Sequence, residues 1–124
     1  MDALPKAGRY LFALPMAAFG AMHFMNGQAM VAMVPVPGGI LWVYLTGVAL
    51  LAAAAAIMIG KQAVLATRLL ALFLLLTAFT VHLPAVMDGD QMAMSQVLKD
   101  VALAGGALIL SGVFAHEASH HADA

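Results

Sequence analysis

The chain has 124 residues, of which 65% are hydrophobic and only 9% charged; an ordinary soluble domain carries roughly 25% charged residues. Five Lys and Arg against six Asp and Glu give a net charge of -1, and there is no cysteine. These figures exclude a typical cytosolic enzyme, a nucleic-acid binder, a disordered chain, a disulfide framework and a thiolate metal site, and they leave an integral membrane protein of one domain.

A membrane-crossing helix takes about 20 mostly apolar residues, and four stretches qualify: residues 9–26, 40–59, 66–87 and 97–115. The first opens like a secretory signal, with Lys6 and Arg9 before an apolar run and Gly27, Gln28 and Ala29 after it. A signal's apolar core is about 7–15 residues long. Here the apolar character continues through Met25 and three more spans follow, so it is read as a retained first helix. Pro35, Pro37, Gly38 and Gly39 break the chain before the second helix. Gly60, Lys61 and Gln62 form a short second turn, and Asp88, Gly89, Asp90 and Gln91 a third. Lys99 and Asp100 are placed at the far end of that third link. The expected fold is all-α, a four-helix transmembrane bundle in one domain over residues 1–115, with a His-rich cytoplasmic tail over residues 116–124.

Lys and Arg in short loops set orientation. Lys6, Arg9, Lys61 and Arg68 fall on one side, and Asp88 and Asp90 with Lys99 and Asp100 on the other. Both termini are therefore expected in the cytoplasm. A shift of 59 residues places Arg9 on Arg68, Leu11 on Leu70, His23 on His82 and Gly47 on Gly106. An even number of spans per unit makes such repeats parallel.

Within each repeat Arg and His are fourteen residues apart, nearly four turns, so they share a helix face about 21 Å apart along the axis. With Arg9 and Arg68 anchored at the inner surface, His23 and His82 lie near the outer boundary. Ionisable groups inside a membrane are functional candidates because lipid solvates them poorly. Three uses stay open: a hydrogen bond to a backbone carbonyl or interfacial water, a shared ligand or quinol-type site joined by Asn26, and ligation of haem or another metal. Met22, Met25, Met30, Met33, Met87, Met92 and Met94 collect on the same outer side, either as adaptable packing or as thioether ligands suited to Cu(I). Trp42 and Tyr44 start the second helix, where amphipathic rings anchor a membrane interface or stack on a ligand.

Gly20 and Gly27 beside His23, and Gly105, Gly106 and Gly112 on the fourth helix, mark expected close helix contacts. The run 52–56 of alanines is expected to pack internally or against a neighbour. His116, Glu117 and His120 fit H-E-x-x-H, a zinc-binding pattern on a helix, but only four residues follow it. A solvated helix end outweighs loose metal binding there. No carboxylate is expected to be buried on the helices, and no nucleophile–base pair is visible, so an independent enzyme is not expected.

Taken together, His23-Phe24, Val34-Pro35-Val36-Pro37, Trp42, Leu45-Thr46-Gly47, the Arg68 to His82 helix and Lys99 with Gly105-Gly106 resemble the DoxX-like family of small four-helix membrane proteins. The resemblance spans about residues 8–115. Many relatives carry a Glu just after the Thr-Gly of the second helix, where this chain has Val48, Ala49 and Leu50. The resemblance implies a redox-linked accessory subunit that binds a quinone-type ligand or a partner oxidoreductase. The alternatives are a membrane assembly or chaperone-type protein without chemistry, and haem or copper binding through the paired His and outer Met residues. A bacterial inner membrane, a partner membrane protein and a homo-oligomer are expected; nucleic acid is not.

Overall fold

In the computed structural model the backbone is described for residues 3–31 and 38–123, and the side chains for residues 3–30 and 38–119. The links through Met33, Pro35 and Pro37, and the side chain of His120, lie outside the described residues. Every element among the described residues is helical: α1 (Ala3–Met25), α2 (Gly27–Val31), α3 (Gly39–Ile59), α4 (Ala63–Thr77), a π-helical turn (Ala78–His82), α5 (Leu83–Met87) and α6 (Gln91–Asp123). The segment from α4 through α5 runs continuously over Ala63–Met87. Among the described residues three helices are long and apolar enough to cross a membrane: Gly39–Ile59, Ala63–Met87 and Gln91–Ser119. α1, which carries Lys6, Arg9, Pro15 and His23 among its 23 residues, is not one of the three.

The helix faces are inverted relative to a soluble protein. On α4 and the π turn, Leu65, Leu69, Leu72, Leu76 and Phe79 form a stripe at helical spacing, each more than half exposed. Ala63, Thr67, Leu70, Leu74 and Ala78 occupy the buried side. Leucines outward, and alanine and threonine among the leucines inward, suit a hydrocarbon solvent, in which close backbone packing replaces the hydrophobic drive between helices.

The chain divides into two compact units, residues 1–66 and 67–124. In the first, α1 and α3 pack against each other. Their crossing is set by Gly20 and Gly47. A Cβ on Gly20 would stand 2.9 Å from the Gly47 carbonyl oxygen, and one on Gly47 would stand 3.0 Å from the Gly20 carbonyl oxygen. The buried stripe of α3, Val43, Gly47, Leu50, Ala54 and Ile57, keeps the alternating three- and four-residue spacing of a helix seam. Two of the alanines in the run, Ala53 and Ala54, are buried. At the other end of the pair the Tyr10 hydroxyl donates to the Met58 carbonyl at 3.3 Å, and the Arg9 guanidinium lies near Gly60. That is the negative end of the α3 dipole, where a cation is favourable. Gly60, with φ 75°, ends α3 and donates its N–H to Ala56.

In the second unit α6 packs on the π turn and on α5. The chain reverses at Asp88–Asp90 through a Schellman arrangement. Gly89 has φ 95°, its N–H reaches the Val86 carbonyl at 3.0 Å, and the Asp90 N–H reaches Ala85 at 3.0 Å. Asp90 then caps α6, its carboxylate accepting the Met92 N–H at 3.0 Å. This cap starts the last long helix at Gln91, six residues before the expected 97, and the helix runs on to Asp123 instead of ending at 115.

Two expected contacts need correction. A Cβ at Gly105 or Gly112 would meet nothing within 4 Å. These glycines lie on the exposed side of α6 because its buried stripe passes through Ala104, Ala107, Ser111 and Phe114. Gly20 and Gly27, by contrast, do meet α3 closely, as expected of them: Gly47 and Leu51 at Gly20, Tyr44 and Ile40 at Gly27.

Candidate functional site

The principal polar cluster of the second unit grows out of a local defect in its first long helix. Pro84 has no N–H, so the Thr80 carbonyl loses its usual α-helical partner, and a proline ring crowds that carbonyl as well. The helix widens before it. The Leu83 N–H bonds to Ala78, five residues back, and Ala78–His82 forms a π turn. Thr77 and Thr80 return their hydroxyls to the Phe73 and Leu76 carbonyls at 3.0 and 2.6 Å. Single π turns inside α-helices recur at functional sites, and here the turn ends on His82.

Opposite His82 stands Asp100. Its side chain is only 5% exposed, and its Oδ2 lies 3.4 Å from His82 Nε2. Its Oδ1 is 3.9 Å from Lys99 Nζ, and Lys99 donates to Gln96 Oε1 at 2.6 Å. The expectation that no carboxylate is buried on the helices is therefore overturned. Asp100 sits within the stripe Ala93, Val97, Asp100, Ala104, Ala107, each at most 9% exposed. It is buried because it lies on the side of α6 whose neighbours Val97 and Ala104 are also covered, the helix packing on the π turn and α5. A carboxylate in such a position requires partners of opposite charge, and His82 and Lys99 are the two basic groups beside it.

The first unit holds the other candidates. His23, partly buried, has its Nδ1 2.6 Å from the Phe19 carbonyl oxygen. A carbonyl can only accept, so Nδ1 carries the proton. Of the uses left open for this residue, the backbone hydrogen bond is the one in place. Asn26 sits at the bend between α1 and α2, exposed, its backbone bonding Met22 and Met30. Tyr44 stacks on Phe24 with ring centroids 5.5 Å apart and planes 11° from parallel, and it closes over Gly27. Trp42 is 49% exposed one turn-start away. Tyr44 is thus engaged in intramolecular stacking, while Trp42 presents its ring outward as an interface anchor does. Arg68 is exposed near the start of α4.

Among the described residues no three His, Asp or Glu side chains gather in a group able to hold a metal ion. His116 is exposed on α6. Met22, Met25, Met87, Met92 and Met94 are all exposed, at the ends of α1, α5 and the start of α6. Lys99, Asp100 and Gln96 were not foreseen as site residues. Their signal was nevertheless present: an Asp-Gly-Asp turn followed by good helix formers is an N-cap pattern, and counting from that cap puts Asp100 on the small-residue seam.

The chain matches no family model, no curated protein and no solved structure.

Proposed function

We propose that this chain is a DoxX-like accessory protein of a bacterial inner membrane, with four spans and both termini in the cytoplasm, that holds a quinone-type ligand at His82. The observation that carries this reading is the imidazole of His82 facing the buried carboxylate of Asp100 at a π turn, inside a helix long and apolar enough to span a membrane. A polar pair in an apolar surround suits a ligand with an apolar body and one or two polar oxygens. α1 serves as the fourth span, held to α3 by the glycine crossing, and Lys6, Arg9 and Lys61 mark the cytoplasmic end of that pair. The redox chemistry belongs to a partner oxidoreductase; this chain supplies binding and orientation.

The test is a titration of the purified full chain in nanodiscs with a short-chain benzoquinone and its quinol, together with identification of any quinone that co-purifies from native membranes. His82→Ala should weaken binding about tenfold or more, as expected for losing one buried hydrogen bond of about 1.4 kcal/mol. Equal affinity for both proteins, or no binding by either, overturns the reading.

A second reading, a membrane assembly protein without chemistry, draws on the open faces at Gly105 and Gly112. Small residues on an uncovered stripe let a partner helix, from another protein or a second copy, approach closely. Gly105→Leu separates the two: it should release a cross-linkable partner under the assembly reading and leave quinone binding intact under the first.

A further inference from the structure

We propose that Asp100 is a positioning residue that keeps the proton of His82 on Nε2, leaves Nδ1 as an acceptor, and thereby makes the site select the hydroxyl-bearing reduced form of its ligand over the carbonyl-bearing oxidised form. This rests on the quinone reading of the same site and adds to it the redox state that is bound.

Nε2 is the nitrogen turned to Asp100, 3.4 Å from Oδ2. An ionised carboxylate can only accept, so the nitrogen facing it carries a proton. The carboxylate is flanked on its other oxygen by Lys99 at 3.9 Å, which favours its staying an acceptor. The groups facing His82 from neighbouring elements are few. α5, with the sequence Leu-Pro-Ala-Val-Met, has no titratable side chain, and α6 offers Asp100 and Lys99. The neutral ring therefore has its lone pair on Nδ1, and among the described residues Nδ1 of His82 makes no hydrogen bond.

His23 supplies the contrast inside the same chain. Its Nδ1 is the atom that donates, at 2.6 Å, to the Phe19 carbonyl. The two histidines thus carry the proton on opposite nitrogens, and the difference comes from what each was given to face: a carbonyl of its own helix for His23, a carboxylate of another helix for His82. The π turn matters here, since it sets the register at which His82 leaves the helix.

A lone pair at Nδ1 accepts from a phenolic hydroxyl and repels a quinone carbonyl, which has no proton to offer. Sites built to pair a hydroxyl discriminate strongly against analogues that lack it. His82 is partly exposed, its side chain at 18%, so the expected preference is modest, about tenfold for the quinol. For a two-electron couple a tenfold preference raises the midpoint potential of the bound quinone by about 30 mV.

The experiment has two arms on the full chain in nanodiscs. The first measures the affinity of a short-chain benzoquinol and of its quinone for the native chain, Asp100→Asn and His82→Ala. Asparagine keeps the size of the side chain but both donates and accepts, so it releases the tautomer while preserving the packing. The expected result is a tenfold preference for the quinol in the native chain, lost in Asp100→Asn with binding retained. Equal affinity, or preference for the quinone, overturns the proposal; the latter would mean that the proton sits on the carboxyl and Nδ1 donates. The second arm needs no ligand. Nitrogen-15 NMR of labelled histidine, recorded well above the ordinary imidazole pKa of about 6.5, should show Nε2 protonated in the signal that His82→Ala removes, and a tautomer mixture in Asp100→Asn. An Nδ1-protonated His82 overturns the positioning role. If neither quinol nor quinone binds, the quinone reading has failed and the selectivity claim falls with it, and the NMR result alone then decides what Asp100 does. If Asp100→Asn does not fold, the tautomer of the native chain still gives the answer.

Discussion

Four glycines offer a matched perturbation: Gly20→Ala and Gly47→Ala at the α1–α3 crossing, against Gly105→Ala and Gly112→Ala on α6. The added atom is the same methyl group each time, and the helix propensity gained is the same, up to about 1 kcal/mol. The surroundings differ. At Gly20 the new carbon would stand 2.9 Å from the Gly47 carbonyl oxygen and 3.1 Å from the Leu51 backbone nitrogen. At Gly47 it would stand 2.7 Å from the Phe24 ring and 3.0 Å from the Gly20 carbonyl oxygen. Backbone atoms cannot swing aside as a flexible side chain can, so the two helices must separate. Overpacking of this kind costs about 1–3 kcal/mol, so each crossing variant should be about 1–3 kcal/mol less stable than its open-face counterpart, and about 0–2 kcal/mol less stable than the native chain after the propensity gain. At Gly105 and Gly112 the new methyl group meets nothing within 4 Å, so those variants should be neutral or slightly more stable. The assay is reversible unfolding of the four single variants in mixed micelles of increasing denaturing-detergent fraction, followed by helical circular dichroism. If Gly20→Ala proves as harmless as Gly105→Ala, the backbone-to-backbone crossing does not exist as described. If Gly105→Ala destabilises as much as Gly20→Ala, α6 is covered on that face by something further.

Two other predictions follow from the second unit. Pro84→Ala restores the N–H that can bond the Thr80 carbonyl, so the π turn should close to an ordinary α-turn and carry His82 out of register with Asp100; the His82 nitrogen-15 signature should shift toward a tautomer mixture, and an unchanged signature would show that the turn does not depend on the proline. The chain lacks cysteine, so Asp88→Cys introduces a single labelling site. With both termini cytoplasmic it should react with an impermeant thiol reagent from the periplasmic side of intact cells, and labelling only after the membrane is opened would reverse the proposed orientation.

A single turn links the fold to the site. Asp90 ends one helix and begins the next: its N–H completes the Schellman arrangement at Ala85, and its carboxylate caps Met92. That dual role fixes the start of α6, and the start of α6 fixes the depth of Asp100. A loop reading of residues 88–100 would have left the carboxylate in water, where His82 would be a lone interfacial imidazole.

Much of this was legible in the residues themselves. Hydrophobic composition and scarce charge point to a membrane solvent, because eleven charged side chains are few to cover a soluble surface. Gly38, Gly60 and Gly89 mark the helix limits, and each adopts a positive φ, a conformation that only glycine takes without strain. His23 and His82 stood out as polar residues in apolar helices. What the residues did not show was which side of each helix would be covered. Gly20 and Gly105 look alike in one dimension, yet one is pressed against backbone and the other is open, because coverage depends on the rotation of a helix about its axis and on the position of its neighbour. Asp100 looked like a loop charge beside Lys99 for a related reason: its burial is a property of the side of α6 on which it lies and of the elements packed opposite. Local chemistry is written along the chain, but the partner of a buried carboxylate comes from a different helix, and only tertiary packing brings His82 to it.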